Sequence, residues 1–331
     1  MAVTLKTISE RLGLSQAAVS QILNRKPNDL SSESTRKKVF AMAEELGYKQ
    51  KFGHKLLRGD RTKTVCILSS QYRLNHEEQI QKLTGCLLEL LEQHGYSSYV
   101  VTLKDDAHVN LEKVRELCVR GVESFIALGT PVGEMSLYEE IRQNGRELIG
   151  YNTCYPHNIN VPPRLAQAEI IRFFLRENRP HFKIFLRNSL RKCLRFQGLR
   201  DVFPQLDDEE LRRRYYINLG EYQTPDVDVL VQIGYEATRR AFEAEPDIEA
   251  VSYLSDYYVL GGIRYLVETG RTPGKDVLVA GYNDINAVRF HHFPITSVRH
   301  QVDEIAETLV KHIGSAEKCS QTINPEVIIR K

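Results

Sequence analysis

From Thr64 onward the chain alternates short apolar runs with longer amphipathic stretches, and this alternation restricts the possible folds more than any other feature of the sequence. The runs Val65–Leu68, Ser98–Val101, Phe125–Leu128 and Lys183–Leu186, with others at 148–149, 215–219, 251–254 and 277–280, are strand-length, and stretches of helical spacing lie between them. Strands separated by helices run parallel, and a parallel sheet is covered on both faces. Residues 64–331 exceed one comfortable doubly wound unit, so the expected core is two α/β lobes of doubly wound parallel sheet with a cleft between them. The first lobe is expected at about 64–152 plus 296–316, and the second at about 153–290 plus 319–331. A cleft between lobes is a natural place for a small molecule.

What the sequence lacks narrows the chemistry. No strand is followed by G-x-G-x-x-G or by a P-loop, and neither H-E-x-x-H nor G-x-S-x-G occurs, so neither nucleotide-dependent nor hydrolytic chemistry is expected. The expectation is a protein that is not an enzyme and holds no cofactor. The six cysteines are scattered without a C-x-x-C pair and read as free, buried thiols rather than a zinc site or a disulfide framework. His291 and His292 have no acidic or Cys partner at metal-binding spacing and read as surface residues. No apolar run reaches the roughly 18 residues of a membrane span, and the segment after Met1 lacks the apolar core of an export signal, so no membrane partner and a cytoplasmic location are expected.

Charge is unevenly spread. Residues 1–63 carry 13 Lys and Arg against 6 Asp and Glu, whereas residues 64–331 carry 32 against 37. A basic head on a mildly acidic body suits a chain whose head alone meets a polyanion, although a merely solvated basic surface gives the same counts. In that head Thr4 can cap a helix with Leu5, Ile8 and Leu12 on one face, ended by Gly13. Ser15 can cap a second, with Val19, Ile22 and Leu23 at helical spacing. Ser32 opens a third, whose Val39, Met42, Ala43 and Leu46 cover the first two before Gly47 stops it. Two short helices across a tight turn form a helix-turn-helix, whose second helix can enter a major groove. Its exposed positions are short or amide-bearing (Gln16, Ala17, Ser20, Gln21), and Gln can pair bidentately with adenine.

These residues carry a resemblance. Val3–Asn24, Ser32–Val39 and Glu45–Tyr48 resemble the signature of the LacI/GalR family of repressors. The resemblance implies an all-α three-helix head over 1–48, a hinge over 49–63, and a periplasmic-binding-protein-like type I core over 64–331. It places Gln16 and Ala17 at base edges and Ser20, Asn24, Ser32 and Thr35 near phosphates, and Thr4, Ser15 and Gln21 are counted with them as DNA-binding residues. Gln21 stands where the family usually has an Arg that contacts guanine. The basic hinge, with Gly53 and Gly59, reads by composition as a tether; the resemblance implies a segment that folds on DNA, with Leu57, or Leu56 as the fallback, in the minor groove and Lys55 near phosphate.

In the core the resemblance rests on Glu249–Asp256 with Gly261 and Gly262, on Val279–Asp284, on Ile295–Val298 and on Arg195–Gly198. It implies that Arg195, Ser255, Asp256 and Asn283 line the cleft from the second lobe, that Ser69, Gln71 and Tyr72 line it from the first, and that Tyr222 offers an aromatic face. On chemistry alone Asp256 could instead cap the helix after its strand, and Arg195 could pair with an acidic neighbour. Asn283 replaces the family's usual Asp, which changes the hydrogen-bond pattern offered to a ligand.

The function so implied is a homodimeric repressor on a near-palindromic double-stranded operator, controlled by a small effector, a sugar or sugar derivative first. Two other readings stay open: a regulator with a vestigial cleft controlled by a partner protein, and a solute-binding protein. No leucine heptad follows Glu326–Ile329, which argues for a dimer over a zipper-made tetramer.

Overall fold

The computed structural model describes residues 3–24, 29–48, 61–129, 134–187, 193–220, 226–315 and 320–331. The chain divides into two compact units, Met1–Thr62 and Lys63–Lys331.

In the first unit, helices Leu5–Leu12, Gln16–Leu23 and Glu33–Glu45 enclose a core of Ile8, Val19, Ile22, Val39 and Ala43. Each helix begins on a short polar side chain. The Thr4 hydroxyl accepts from the Thr7 amide while the Thr7 hydroxyl accepts from the Thr4 amide, Ser15 accepts from the Ala18 amide at 3.1 Å, and Ser32 from that of Thr35 at 3.2 Å. Gly13, at φ +65°, turns the chain sharply enough for the second helix to start three residues later. Before the third helix, buried Asp29 accepts from the Ser31 amide at 2.9 Å and from Arg36 Nε at 2.6 Å.

The second unit contains two parallel sheets. Strands β1 (Thr64–Ser70), β2 (Ser97–Leu103), β3 (Ser124–Leu128), β4 (Glu147–Tyr151) and β5 (Asn158–Asn160) belong to the first, β6 (Phe182–Leu186), β7 (Tyr216–Asn218), β8 (Ala250–Tyr253) and β9 (Leu278–Ala280) to the second. Then come β10 (Ser297–Arg299), β11 (Ser320–Thr322) and β12 (Glu326–Ile328). The first sheet has the order β11-β5-β4-β3-β1-β2 and the second β7-β6-β8-β9, while β10 and β12 form an antiparallel pair beside the second. Helices cover both faces of each sheet, because the central strands are apolar in both directions: β3 and β6 are buried along their whole length. On the first sheet, Ile80, Leu83 and Leu87 pack with Ile305 and Leu309 on one face, and Val114, Leu117, Leu137 and Ile141 on the other. On the second, helices Val227–Ala244 and Asp256–Glu268 lie so close that a β-carbon on Gly261 would fall 1.8 Å from the Val231 carbonyl oxygen.

Among the described residues the chain passes between the sheets three times: after Asn160, between Arg299 and Val302, and between Thr322 and Glu326. The lobe limits read from the sequence shift accordingly. Asn158–Asn160 and Ser320–Thr322, assigned to the second lobe, pair with each other in the first sheet, and Ser297–Arg299, assigned to the first, joins the second. Among the described cysteines none is bonded to another; Cys66 and Cys118 are buried, but Cys154, expected to be buried, is exposed.

Candidate functional site

On the Gln16–Leu23 helix, Val19 and Ile22 point into the head core, which turns Gln16, Ala17, Ser20 and Gln21 outward. Gln16 and Ala17 are exposed, whereas Ser20 and Gln21 are half-buried. The Asn24 amide group donates to the Ser20 carbonyl and, at 3.2 Å, to the Ser20 hydroxyl, so these two expected phosphate contacts are already joined. Thr4, Ser15, Ser32 and Thr35 stand at helix N-termini, where unpaired amides and the helix dipole favour anions. Lys55, Leu57 and Tyr222 lie outside the described residues.

A cavity of about 1010 Å³ lies at the carboxyl ends of both parallel sheets, the position where doubly wound sheets hold ligands. From the first lobe it is walled by Ser70, Tyr72, Arg73, Glu77, Gln79, Lys104, Asp105 and Asn152, and from the second by Arg187, Arg195, Ser255, Tyr257, Tyr282 and Asn283. Val161, His300 and Thr322, on or beside the three crossings, complete it.

Tyr72, Arg195, Ser255 and Asn283 are thus on the wall as expected from the sequence, while three other expected residues are not. Ser69 is buried at the end of β1 with its hydroxyl toward the Leu128 carbonyl at 3.4 Å, and Ser70, next along, takes its place. Gln71 faces solvent and donates to Asn75. Asp256 lies wholly buried behind the wall, where its carboxylate accepts from the Ile285 amide at 2.9 Å and the Ser297 hydroxyl at 2.8 Å. Burial pushes this carboxyl up to about 7. The helix there is capped by Ser255 instead. Close by, Asp284 is held in the left-handed region at φ +47° and gathers Arg299 and Arg330 at 2.6 Å and Arg289 at 3.7 Å.

Arg195 is only 8% exposed, lies over the Tyr282 ring at 3.8 Å, and donates to the Leu254 carbonyl at 2.7 Å. Burial holds its pKa below the ordinary value. His300 is 6% exposed, and its Nδ1 shares a 2.7 Å hydrogen bond with the Tyr151 hydroxyl, but its Nε2 is buried without a partner among the described residues. Burial, reinforced by the nearby Arg195 charge, lowers the imidazole to about 4, so it is neutral at physiological pH. Gln79 presents a second buried, unpartnered atom on this wall, its Oε1. Across the mouth, the Tyr257 hydroxyl donates to the His76 carbonyl at 2.7 Å and the Asn286 amide to Glu78 at 3.1 Å. Sequence reasoning missed Gln79 and His300. Each is a lone polar residue in an ordinary context, and only the fold brings it to the cavity.

No group of three or more His, Cys, Asp or Glu side chains among the described residues is placed to hold a metal ion. His291 and His292 stack on one another at 4.6 Å and on Phe293. No helix among the described residues is long and apolar enough to cross a membrane.

No family model matches the chain. The HTH-type transcriptional regulator MalR of Clostridium butyricum is 22% identical over 327 residues, covering 94% of this chain and 92% of the relative. A crystal structure of the lac repressor dimer bound to operator and the anti-inducer ONPF superposes with a TM-score of 0.79 at 18% identity, covering 100% of this chain and 99% of that one. A complex of the transcriptional regulator CelR with cellobiose matches with a TM-score of 0.65 at 20% identity, covering 99% of both chains. These matches run through head and core together, and the matched proteins are regulators rather than enzymes. A capped helix-turn-helix ahead of a two-sheet, periplasmic-binding-protein-like core is the architecture this chain shares, end to end, with the LacI/GalR-type helix-turn-helix transcriptional regulators it resembles.

Proposed function

We propose that the chain is a cytoplasmic transcription repressor that binds a near-palindromic operator as a homodimer and is controlled by a sugar or sugar derivative held between the core lobes. The observation that carries the reading is the cavity of about 1010 Å³, whose wall holds buried polar atoms at Gln79 and His300 that have no partner among the described residues. Buried polar atoms in a cavity of this size are satisfied by a hydroxyl-bearing guest or by water, and a polyhydroxylated ligand supplies acceptors and donors together. The cellobiose held by CelR supports the same class of ligand.

In this reading residues 1–48 are the DNA-binding head, 49–63 the hinge and 64–331 the effector-binding and dimerisation core. Gln16, Ala17 and Gln21 meet base edges; Thr4, Ser15, Ser20, Asn24, Ser32 and Thr35 meet phosphates; Lys55 and Leu57 serve the hinge. Dimerisation supplies a second recognition helix, since one reads too few base pairs for specificity. The operator-bound dimer of the lac repressor supports this arrangement.

The test is fluorescence anisotropy of the full chain on a pool of near-palindromic duplexes at two salt concentrations, repeated with a panel of sugars and sugar derivatives. Selective, salt-sensitive binding shifted by one compound is the expected result. Selective binding that no compound moves would favour control by a partner protein. Binding no tighter than to random duplex would favour a solute-binding protein.

A further inference from the structure

We infer that the ligand of the cleft carries an acidic group, a carboxylate or a phosphate, that docks between Arg195 and His300. The inference deepens the reading of the cleft as a ligand site and rests on it.

Arg195 is a buried cation that no carboxylate among the described residues ion-pairs; the buried Asp256, held by its own donors behind the wall, acts on it only from a distance. Its hydrogen bonds run from one nitrogen, Nη1, to the Leu254 carbonyl at 2.7 Å and the Tyr253 carbonyl at 3.4 Å. The contrast with Asp284 is local: behind the wall, that one carboxylate gathers three arginines. A guanidinium presents five N–H groups in a fixed fork suited to the paired oxygens of a carboxylate or phosphate. The Tyr282 ring, 3.8 Å from the guanidinium carbon, covers one face of that fork and favours a cation without neutralising it.

His300 sits against the same ring, edge-on at 5.4 Å, and reaches the same cavity. Nε2 has no partner among the described residues, and in the tautomer in which Nδ1 accepts from the Tyr151 hydroxyl it carries the hydrogen and is a donor. Two donors, one of them charged, therefore flank one aromatic ring on one wall. The remaining charge agrees: Arg73, Lys104 and Arg187 join Arg195 on the cavity wall against Glu77 and Asp105, and Glu77 is paired with Arg73 at 3.2 Å. A sugar hydroxyl would satisfy the hydrogen bonds and leave the charge uncompensated, whereas an anionic oxygen pair does both. Hydrogen bonds between ionised groups are roughly twice as strong as neutral ones, so an acid should bind at least about tenfold more tightly than its neutral parent.

The test is calorimetric titration of the full chain, at fixed pH and ionic strength, with gluconate, glucuronate, galacturonate, glucose 6-phosphate and ribose 5-phosphate, each set beside glucose, galactose or ribose. At least one acid or phosphate ester is expected to exceed its parent by about tenfold. Preference confined to the sugar acids identifies a carboxylate, and preference confined to the esters a phosphate. The His300→Gln variant, checked for an unchanged melting profile, is expected to lower the acid-to-parent affinity ratio; a structural role would weaken both ligands alike. Should this substitution disturb the fold, the comparison on the parent chain still decides. Equal affinities, binding of neutral sugars alone, or no binding by any anionic compound would overturn the inference. Neutral sugars that move operator binding without any preference for acids would sink it while leaving the proposed function standing.

Discussion

In the head, the hydroxyls proposed to meet phosphates already serve the fold: Thr4, Ser15 and Ser32 cap helices, and Ser20 is tied to Asn24. In the cleft, His300 Nε2 and Gln79 Oε1 are buried and bond to nothing among the described residues. A hydroxyl on an open surface can cap a helix and still meet a phosphate, because water fills whatever a partner leaves. An atom walled inside a cavity has no such reserve, and leaving it unpaired costs roughly 1 to 3 kcal/mol. The difference teaches where to look for specificity: exposed polar residues report where a polymer lies, buried unpaired ones report what a small guest must offer.

Four measurements would break or sharpen that contrast. The largest effect is expected from Ile22→Ala. Among the described residues the head core has five buried apolar side chains, and losing one large one should cost about 4 kcal/mol, enough to unfold it. Calorimetry should then show the core transition unchanged while operator binding disappears; retained binding would mean that the head does not depend on its own core. Next, Asp284→Asn should cost the core about 3 kcal/mol, the low end for breaking a buried ion pair, since Arg289 and Arg299 keep contact with water. Urea unfolding reads this directly, and an unchanged midpoint would show that the cluster contributes nothing.

Third is a pH dependence. A folded-state His300 pKa of about 4 lies below the ordinary 6.5, so the unfolded chain binds the extra proton and stability falls as the pH drops below about 6.5. Between pH 8 and pH 5 this amounts to about 2 kcal/mol, which the His300→Gln variant should not lose. Asp256, raised to about 7, has the opposite sign: its contribution grows as the pH falls from about 7 toward the ordinary 3.8. Comparing parent and variant at each pH isolates the histidine, and identical acid profiles would show that His300 is not the titrating group. The smallest effect is expected from Gln16→Ala, about 1.5 kcal/mol or roughly tenfold in operator affinity, with melting unaltered. An affinity that does not move would take Gln16 off the DNA.

Much of this architecture was legible in the residues themselves. The caps at Thr4, Ser15 and Ser32 stand out because a short polar side chain directly precedes an apolar row at helical spacing, and Gly13 marks the turn between two of them. The parallel sheets follow from apolar runs too short for helices. Strands β5 and β11 escaped notice because each is three residues long and mostly polar, so their place in the first sheet comes from pairing with neighbours and not from an apolar pattern. Asp256 misled for a related reason. Position at a strand end puts a carboxylate near the cleft, but the segments around Ile285 and Ser297 supply donors behind it, and the side chain turns to them. His300 and Gln79 carry no local signal at all. Their importance arises from a crossing segment and from a helix that the fold sets against the same void.

That crossing has a mechanical meaning. Val161, His300 and Thr322, on or beside the three places where the chain passes between the sheets, all contribute to one wall of the cavity. The lobes are therefore joined along a spine of three bindings, and the proposed guest would press on the spine as well as on the two covers. Covers held by three bindings have few ways to turn, so little orientational freedom is surrendered when they close. In the proposed reading, a ligand preference for one angle on the order of 1 to 3 kcal/mol then shifts the ratio of the two arrangements by roughly 5- to 150-fold.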